Sequence, residues 1–233
     1  MKILLIAGHG QGDPGATGNG YREADLTREV VTNINTYLKG AAEVDIFDFT
    51  KDMFQYLKSG KTFAFNKYDY VLEIHFNAFN NKAYGTEVLV HSNEKSTAVE
   101  EKILKKITSL GFFSRGVKTR SDLRVMNTAK KIYGVSHALV EVCFIDNKSD
   151  VEKYIANAER VAKAIADGVI EGFGLDSSEV QKTPLESAND IVWELSQMIK
   201  INDVSGAVKA LQKAKDENSP LYWMLYKVVN GDG

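Results

Sequence analysis

Two imidazoles and two carboxylates stand where this chain could do chemistry. His9 ends an apolar run, Lys2-Ile3-Leu4-Leu5-Ile6-Ala7, and is held between Gly8 and Gly10. Glu23 opens a helix after a loop, 8–20, that is too rich in Gly, Asp, Asn and Pro to be helix or sheet. His75 ends a second apolar run, and Glu141 lies inside a third, Leu139-Val140-Glu141-Val142-Cys143. Hydrolytic zinc sites take three His or Asp/Glu ligands and leave a further position to water, whose pKa the metal lowers to about 7. His9, Glu23 and His75 supply such a ligand set, and mixed His/Glu ligation favours Zn2+ among divalent ions. A lone carboxylate in an apolar strand is expensive unless it is paired, metal-bound or catalytic. Glu141 is therefore the candidate general base, taking a proton from water and passing it to a leaving amine.

Each of these residues also has a plainer reading. Gly-His-Gly can be only a turn, although flanking glycines usually mark a close backbone approach. An acidic residue at a helix start is expected on dipole grounds in any protein, so spacing alone favours a structural Glu23. A histidine at a strand end is as often a hydrogen-bonded core residue as a ligand. The polar Asn77 beside His75 tilts that pair toward a site and is a candidate substrate contact. Glu141 could face solvent. His91 and His137 read as structural, although His137 shares strand parity with Glu141. Cys143 has that parity too, but reads as a packed thiol. The glycine loop lacks the Lys-Ser/Thr of a P-loop and does not complete Gly-x-Gly-x-x-Gly.

The elements that must position these residues follow from hydrophobic periodicity. Apolar runs at 2–7, 68–76, 85–91 and 137–144 predict strands, with a shorter one at 43–49. Leu26, Val30, Ile34 and Leu38 give a helix from 22 to 38, closed by Lys39-Gly40. Further helices are expected at 51–66 with an exposed glycine break at Gly60, from Ser96 or Thr97 to Leu110, at 146–154 and at 157–173, with short extended pieces at 115–120 and 123–126. Strands alternating with helices predict an α/β domain with a mixed, mainly parallel sheet. In such sheets ligands bind beyond the carboxyl ends of the strands, where His9, His75 and Glu141 fall. The chemistry-bearing domain spans 1–175, a linker 176–187, and a small all-helical module 188–233 that holds both tryptophans, Trp193 and Trp223. That module is too small for a comfortable core of its own, so docking, self-association or binding is expected of it.

The bulk numbers exclude several classes. With 29 Lys+Arg against 31 Asp+Glu, there is no electrostatic case for nucleic acid or an anionic membrane. One cysteine rules out an intramolecular disulfide and a thiolate zinc cluster. Neither a signal peptide nor a bilayer-spanning run is visible, so cytoplasmic synthesis without membrane insertion is expected.

Taken together the motifs resemble, in order, those of the zinc-dependent N-acetylmuramoyl-L-alanine amidases of the amidase-3 family. They are Gly8-His9-Gly10 through Asp13-Pro14-Gly15-Ala16 to Glu23, then Ile74-His75-Phe76-Asn77-Ala78, then Leu139-Val140-Glu141-Val142-Cys143-Phe144-Ile145-Asp146-Asn147. Gly116-Val117-Lys118 with Asp122-Leu123-Arg124-Val125 is similar to the segment before that family's last strand. Cys143 departs from the glycine often found there. The resemblance covers about 1–175 and implies a six-stranded mixed sheet, zinc on His9, Glu23 and His75, and Glu141 as the catalytic glutamate. The implied reaction cuts the amide between N-acetylmuramic acid and L-alanine of the peptidoglycan stem. The family holds bacterial wall enzymes and phage endolysins. A chain with no export signal is expected to be an endolysin that reaches a Gram-positive wall through a holin-made lesion. Residues 189–195 and 219–226 are similar to short helical endolysin tails, which implies wall targeting or self-association. Two rivals are a non-catalytic wall-binding protein of the same fold and a zinc peptidase acting on the stem peptide.

Overall fold

A computed structural model describes residues 1–10 and 12–176 of the chain. The expected linker beyond Asp176 and the helical module 188–233 lie outside the described residues. In chain order the elements are β1 (Lys2–Ala7), β2 (Thr17–Gly18), β3 (Tyr21–Arg22), α1 (Glu23–Leu38), β4 (Glu43–Ile46), α2 (Met53–Lys58), β5 (Tyr70–Asn77), β6 (Thr86–His91), α3 (Ala98–Thr108), β7 (Ser114–Arg120), α4 (Arg124–Asn127), β8 (Ser136–Phe144), α5 (Lys148–Ile155) and α6 (Ala158–Phe173). Six strands form one sheet in the order β4-β1-β5-β8-β6-β7. The first four are mutually parallel, and β6 turns antiparallel to β8 with β7 parallel to β6. The expected mixed, mainly parallel six-stranded sheet is what the chain forms. Among the described residues no helix is long and apolar enough to cross a membrane.

Strand parity decides what each face carries. Ile3, Leu5, Leu72, Ile74, Ala138 and Val140 point into the larger core, under α1, α3 and α6. The opposite parity of β1 and β5 carries Leu4, Ile6 and Val71, which pack with Met53 of α2 and Val125 of α4. On this second face β5 also carries Glu73 and His75, and β8 carries His137 and Glu141. Polar side chains thus interrupt the smaller core and leave the larger one apolar. Because β1, β5 and β8 are parallel, His9, His75 and Glu141 come to one edge of the sheet.

Three local expectations are corrected. The helix expected over 51–66 runs only from Met53 to Lys58, where Ser59 and Gly60 (φ +84°) end it; a single 3₁₀ turn follows at Phe65–Lys67. Its start is fixed by Asp52, whose side chain accepts a hydrogen bond from Gln55 N at 3.1 Å. The segment around Leu123–Met126 is helical, not extended. Val125 and Met126 are buried, so tertiary packing overrides a weak local preference. Cys143 does not share the face of Glu141. His75 pairs with Glu141 but Asn77 pairs with Phe144, so β8 holds one extra residue there, and the bulge turns Cys143 into the larger core.

Helices α3 and α6 approach closely at Gly168 and Gly172. A Cβ on Gly168 would lie 2.5 Å from Ile103 Cα, a backbone atom with nowhere to go. Gly168→Val is expected to lower stability by about 1–3 kcal/mol, the usual cost of overpacking, or more. Thermal unfolding checks this: an unchanged melting temperature would mean that the helices do not pack here.

Candidate metal centre

Glu23 reaches the sheet edge because the glycine loop folds back on α1. Glu23 N donates to Ala16 O at 2.9 Å and Ala24 N to Pro14 O at 3.0 Å. Arg28, one turn further along α1, donates to Gly8 O (3.2 Å), His9 O (2.9 Å) and Phe49 O (3.0 Å), tying the end of β1 to the helix. His9 itself sits at φ +63°, a left-handed conformation that costs a non-glycine residue about 1 kcal/mol or more. Gly8 is needed for space: a Cβ there would lie 2.3 Å from the His75 ring.

The result is a carboxylate gripped by two imidazoles. Glu23 Oε2 lies 3.1 Å from His9 Nε2, and Glu23 Oε1 lies 2.9 Å from His75 Nδ1. The two rings meet edge to face at 5.0 Å. Backbone N–H groups of Ala16 and Phe76 also donate to Glu23, at 2.8 and 2.9 Å. Burial disfavours charge on Glu23, but its bonds to His75 and His9 outweigh this and hold it well below the usual carboxylate range. Burial likewise lowers His75, whereas Glu23 and Glu73 raise it further, to a net value well above that of a free imidazole.

The far side of each imidazole is held by another carboxylate. His9 Nδ1 lies 2.9 Å from Asp13 Oδ2, and His75 Nε2 lies 3.0 Å from Glu73 Oε1. The second oxygen of Glu73 lies 2.9 Å from His137 Nε2. Metal-binding histidines typically have this support, which fixes the tautomer and aims the other nitrogen at the metal. Ligand atoms of His9, Glu23 and His75 all lie within 4.8 Å of one another, and their chemistry suits zinc. His9, Asp13 and Asp52 also gather within 4.8 Å, but Asp13 is already held by His9 and by Gly15 N, and Asp52 caps α2.

Glu141 lies beside His75 on the neighbouring strand, one strand spacing away on the same face. Its Oε2 is buried and has no hydrogen-bond partner. Burial pushes its carboxyl up to about 7. A buried acceptor with nothing to accept from fits a water or substrate proton better than a structural role.

The structure thus brings together His9, Glu23, His75 and Glu141. Asn77 lies past the bulge, where its Nδ2 donates to Glu87 Oε1 at 3.2 Å. Glu87 is also paired with Arg115, at 2.9 Å, and with Lys118. His91 is buried, 3.0 Å from Asn127 Oδ1, and stays apart from the centre. Sequence reasoning missed Glu73 and did not use His137 or Asp13. The signal for Glu73 was present: it is a carboxylate in an apolar strand, at the same parity as His75. Glu73→Ala would leave two imidazole nitrogens without their carboxylate. It is expected to weaken metal binding about 10–100-fold, measured by competition with a chromogenic chelator; unchanged affinity would reduce Glu73 to a packing role.

Comparison with known proteins gives the family of the chain. Residues 3–171 match the family model described as N-acetylmuramoyl-L-alanine amidase. The chain is 34% identical over 207 residues to Probable autolysin PH of Staphylococcus aureus, an alignment that covers 78% of this chain and 43% of the autolysin. The chain therefore spans less than half the length of that relative. It is 28% identical over 224 residues to the endolysin of Bacillus phage SPP1, covering 91% of this chain and 80% of the phage protein. Among solved structures, the catalytic domain of the CD27L endolysin targeting Clostridia difficile superposes with a TM-score of 0.62 at 27% identity. That match covers 73% of this chain and 97% of the other.

Proposed function

The chain belongs to the N-acetylmuramoyl-L-alanine amidase family, and on that footing we propose that it hydrolyses the amide between N-acetylmuramic acid and L-alanine in bacterial peptidoglycan. One observation carries the reading: a half-buried Glu141, one oxygen of it buried and unpartnered, stands next to a carboxylate clasped by two histidines, each braced by a further acid. His9, Glu23 and His75 would hold a zinc ion. Bound there, zinc supplies Lewis-acid chemistry, activating water near neutral pH and polarising the scissile carbonyl. Glu141 takes the proton of the attacking water and returns it to the amine of L-alanine as that bond breaks. Glu73 and Asp13 hold the two imidazoles in register throughout. Asn77, at the rim of the same face, is assigned to substrate contact.

We assign the chain to the endolysin type, acting on a Gram-positive wall after holin-type release. The similarity to a phage endolysin supports this, because it runs over more of the chain than the 1–175 domain alone. Residues 188–233 are assigned to wall targeting or self-association. Product analysis tests the activity. Purified walls should yield new L-alanine amino termini and no new reducing ends. Cleavage within the stem peptide instead would make the chain a peptidase, and binding without products would make it a wall-binding protein.

A further inference from the structure

A cavity of about 310 Å³ opens beside the centre, on the face covered by α2 and α4. His9, Glu73 and His75 form part of its lining, so it borders two of the three side chains that would hold the metal. Apolar side chains, among them Met53, Leu123 and Leu139, make up much of the rest. The segments at Phe54 and Arg124 also line it, and the Arg124 guanidinium stacks over the Phe54 ring at 5.7 Å. Both residues are exposed, Phe54 by 42%.

Charge distinguishes Arg124 from the rest of this lining. The acids there are engaged: Asp13 with His9, Glu73 with His75 and His137, Asp122 with Arg120, and Asp52 with the start of α2. Arg124 makes no ion pair among the described residues. A free guanidinium on an aromatic face, at the mouth of an apolar cavity, is a ready carboxylate receptor.

We propose that this cavity is the stem-peptide subsite and that Arg124 binds a free carboxylate on the residue next to the released L-alanine. The inference rests on the amidase reading. Its direction follows from chemistry. On the glycan side the acid nearest the cut is consumed in the scissile amide itself, whereas the peptide side can bring a carboxylate of its own. The cavity is at the small end of ligand pockets, so it holds only a short length of peptide, and the carboxylate reaching Arg124 belongs to a neighbouring residue. A stem whose second residue carries the corresponding amide would lose the charge-assisted bond and fit less well.

The test uses the full zinc-supplied chain on two preparations of purified sacculi, stripped of anionic polymers. In one the second stem residue bears a free carboxylate, in the other its carboxamide. Release of L-alanine amino termini is followed in each. Wild-type protein should cleave the carboxylate walls more efficiently by on the order of tenfold, the worth of one charge-assisted hydrogen bond. Arg124→Gln should abolish that preference by slowing only the carboxylate walls, with the loss in KM and not in kcat. Lys131→Gln, which removes an exposed cation outside the cavity lining, should keep the preference. Equal cleavage of both walls by wild type, or equal slowing of both by Arg124→Gln, would overturn the subsite while leaving the amidase intact. No amino termini from either wall would overturn the amidase reading itself.

Discussion

Glu141→Gln should fold, bind metal and bind wall, yet hydrolyse it at least about 10²–10⁴ times more slowly, the span that general acid–base groups contribute. The substitution is well suited to this position. Gln has nearly the same shape, so the interior of β8 is not reshaped. One oxygen of the native carboxylate is buried without a partner, and burial has pushed its pKa up to about 7, so a neutral group costs the fold nothing that the acid supplied. What Gln cannot do is accept a proton from water and return it to an amine. Equal melting temperatures and equal metal content, with products lost, would isolate the chemical step. A variant within tenfold of wild type would remove Glu141 from the mechanism.

His75→Ala should have the other large effect, and by a different route. It removes one of the three side chains proposed to hold the metal and also strips Glu23 Oε1 and Glu73 Oε1 of their imidazole partner. Both acids are buried, and removing one partner of a buried ion pair typically costs about 3–5 kcal/mol. Phe76 N still donates to Glu23, and His137 still faces Glu73, so part of the support remains. The expected result is a destabilised chain that loses its metal on dialysis and shows only background hydrolysis. Activity and metal fall together here, whereas in Glu141→Gln only activity falls. A His75→Ala protein that kept one equivalent of metal would place the metal elsewhere.

Much of the site was legible in the sequence because it obeys strand parity. Apolar runs marked β1, β5 and β8, and parallel pairing put their ends at one edge. Glu141 announced itself by being charged in an apolar strand. Glu73 satisfied the same criterion, but the histidine two residues on drew attention to the strand end and away from its middle. Its partner, His137, was read as structural and on the face of Glu141, but what it bonds to depends on register across two strands and is not visible locally. Parity failed at Cys143 for the same reason: the bulge opposite His75–Asn77 is a property of the pair of strands and not of either alone. Short helices were the weakest readings. α4 has no side-chain cap, and burial of Val125 and Met126 decides its conformation. Gly8 shows the converse: flanking glycines suggested a close approach, and Gly8 is small because the His75 ring needs its space.

The most direct test of a metal-dependent amide hydrolase is chelation and reconstitution of the full chain, with metal content and wall products measured on the same sample. One equivalent of zinc, loss of L-alanine release when it is stripped, and recovery when zinc alone is returned are the expected results. Release that continues undiminished in metal-free protein would contradict the role assigned to His9, Glu23 and His75.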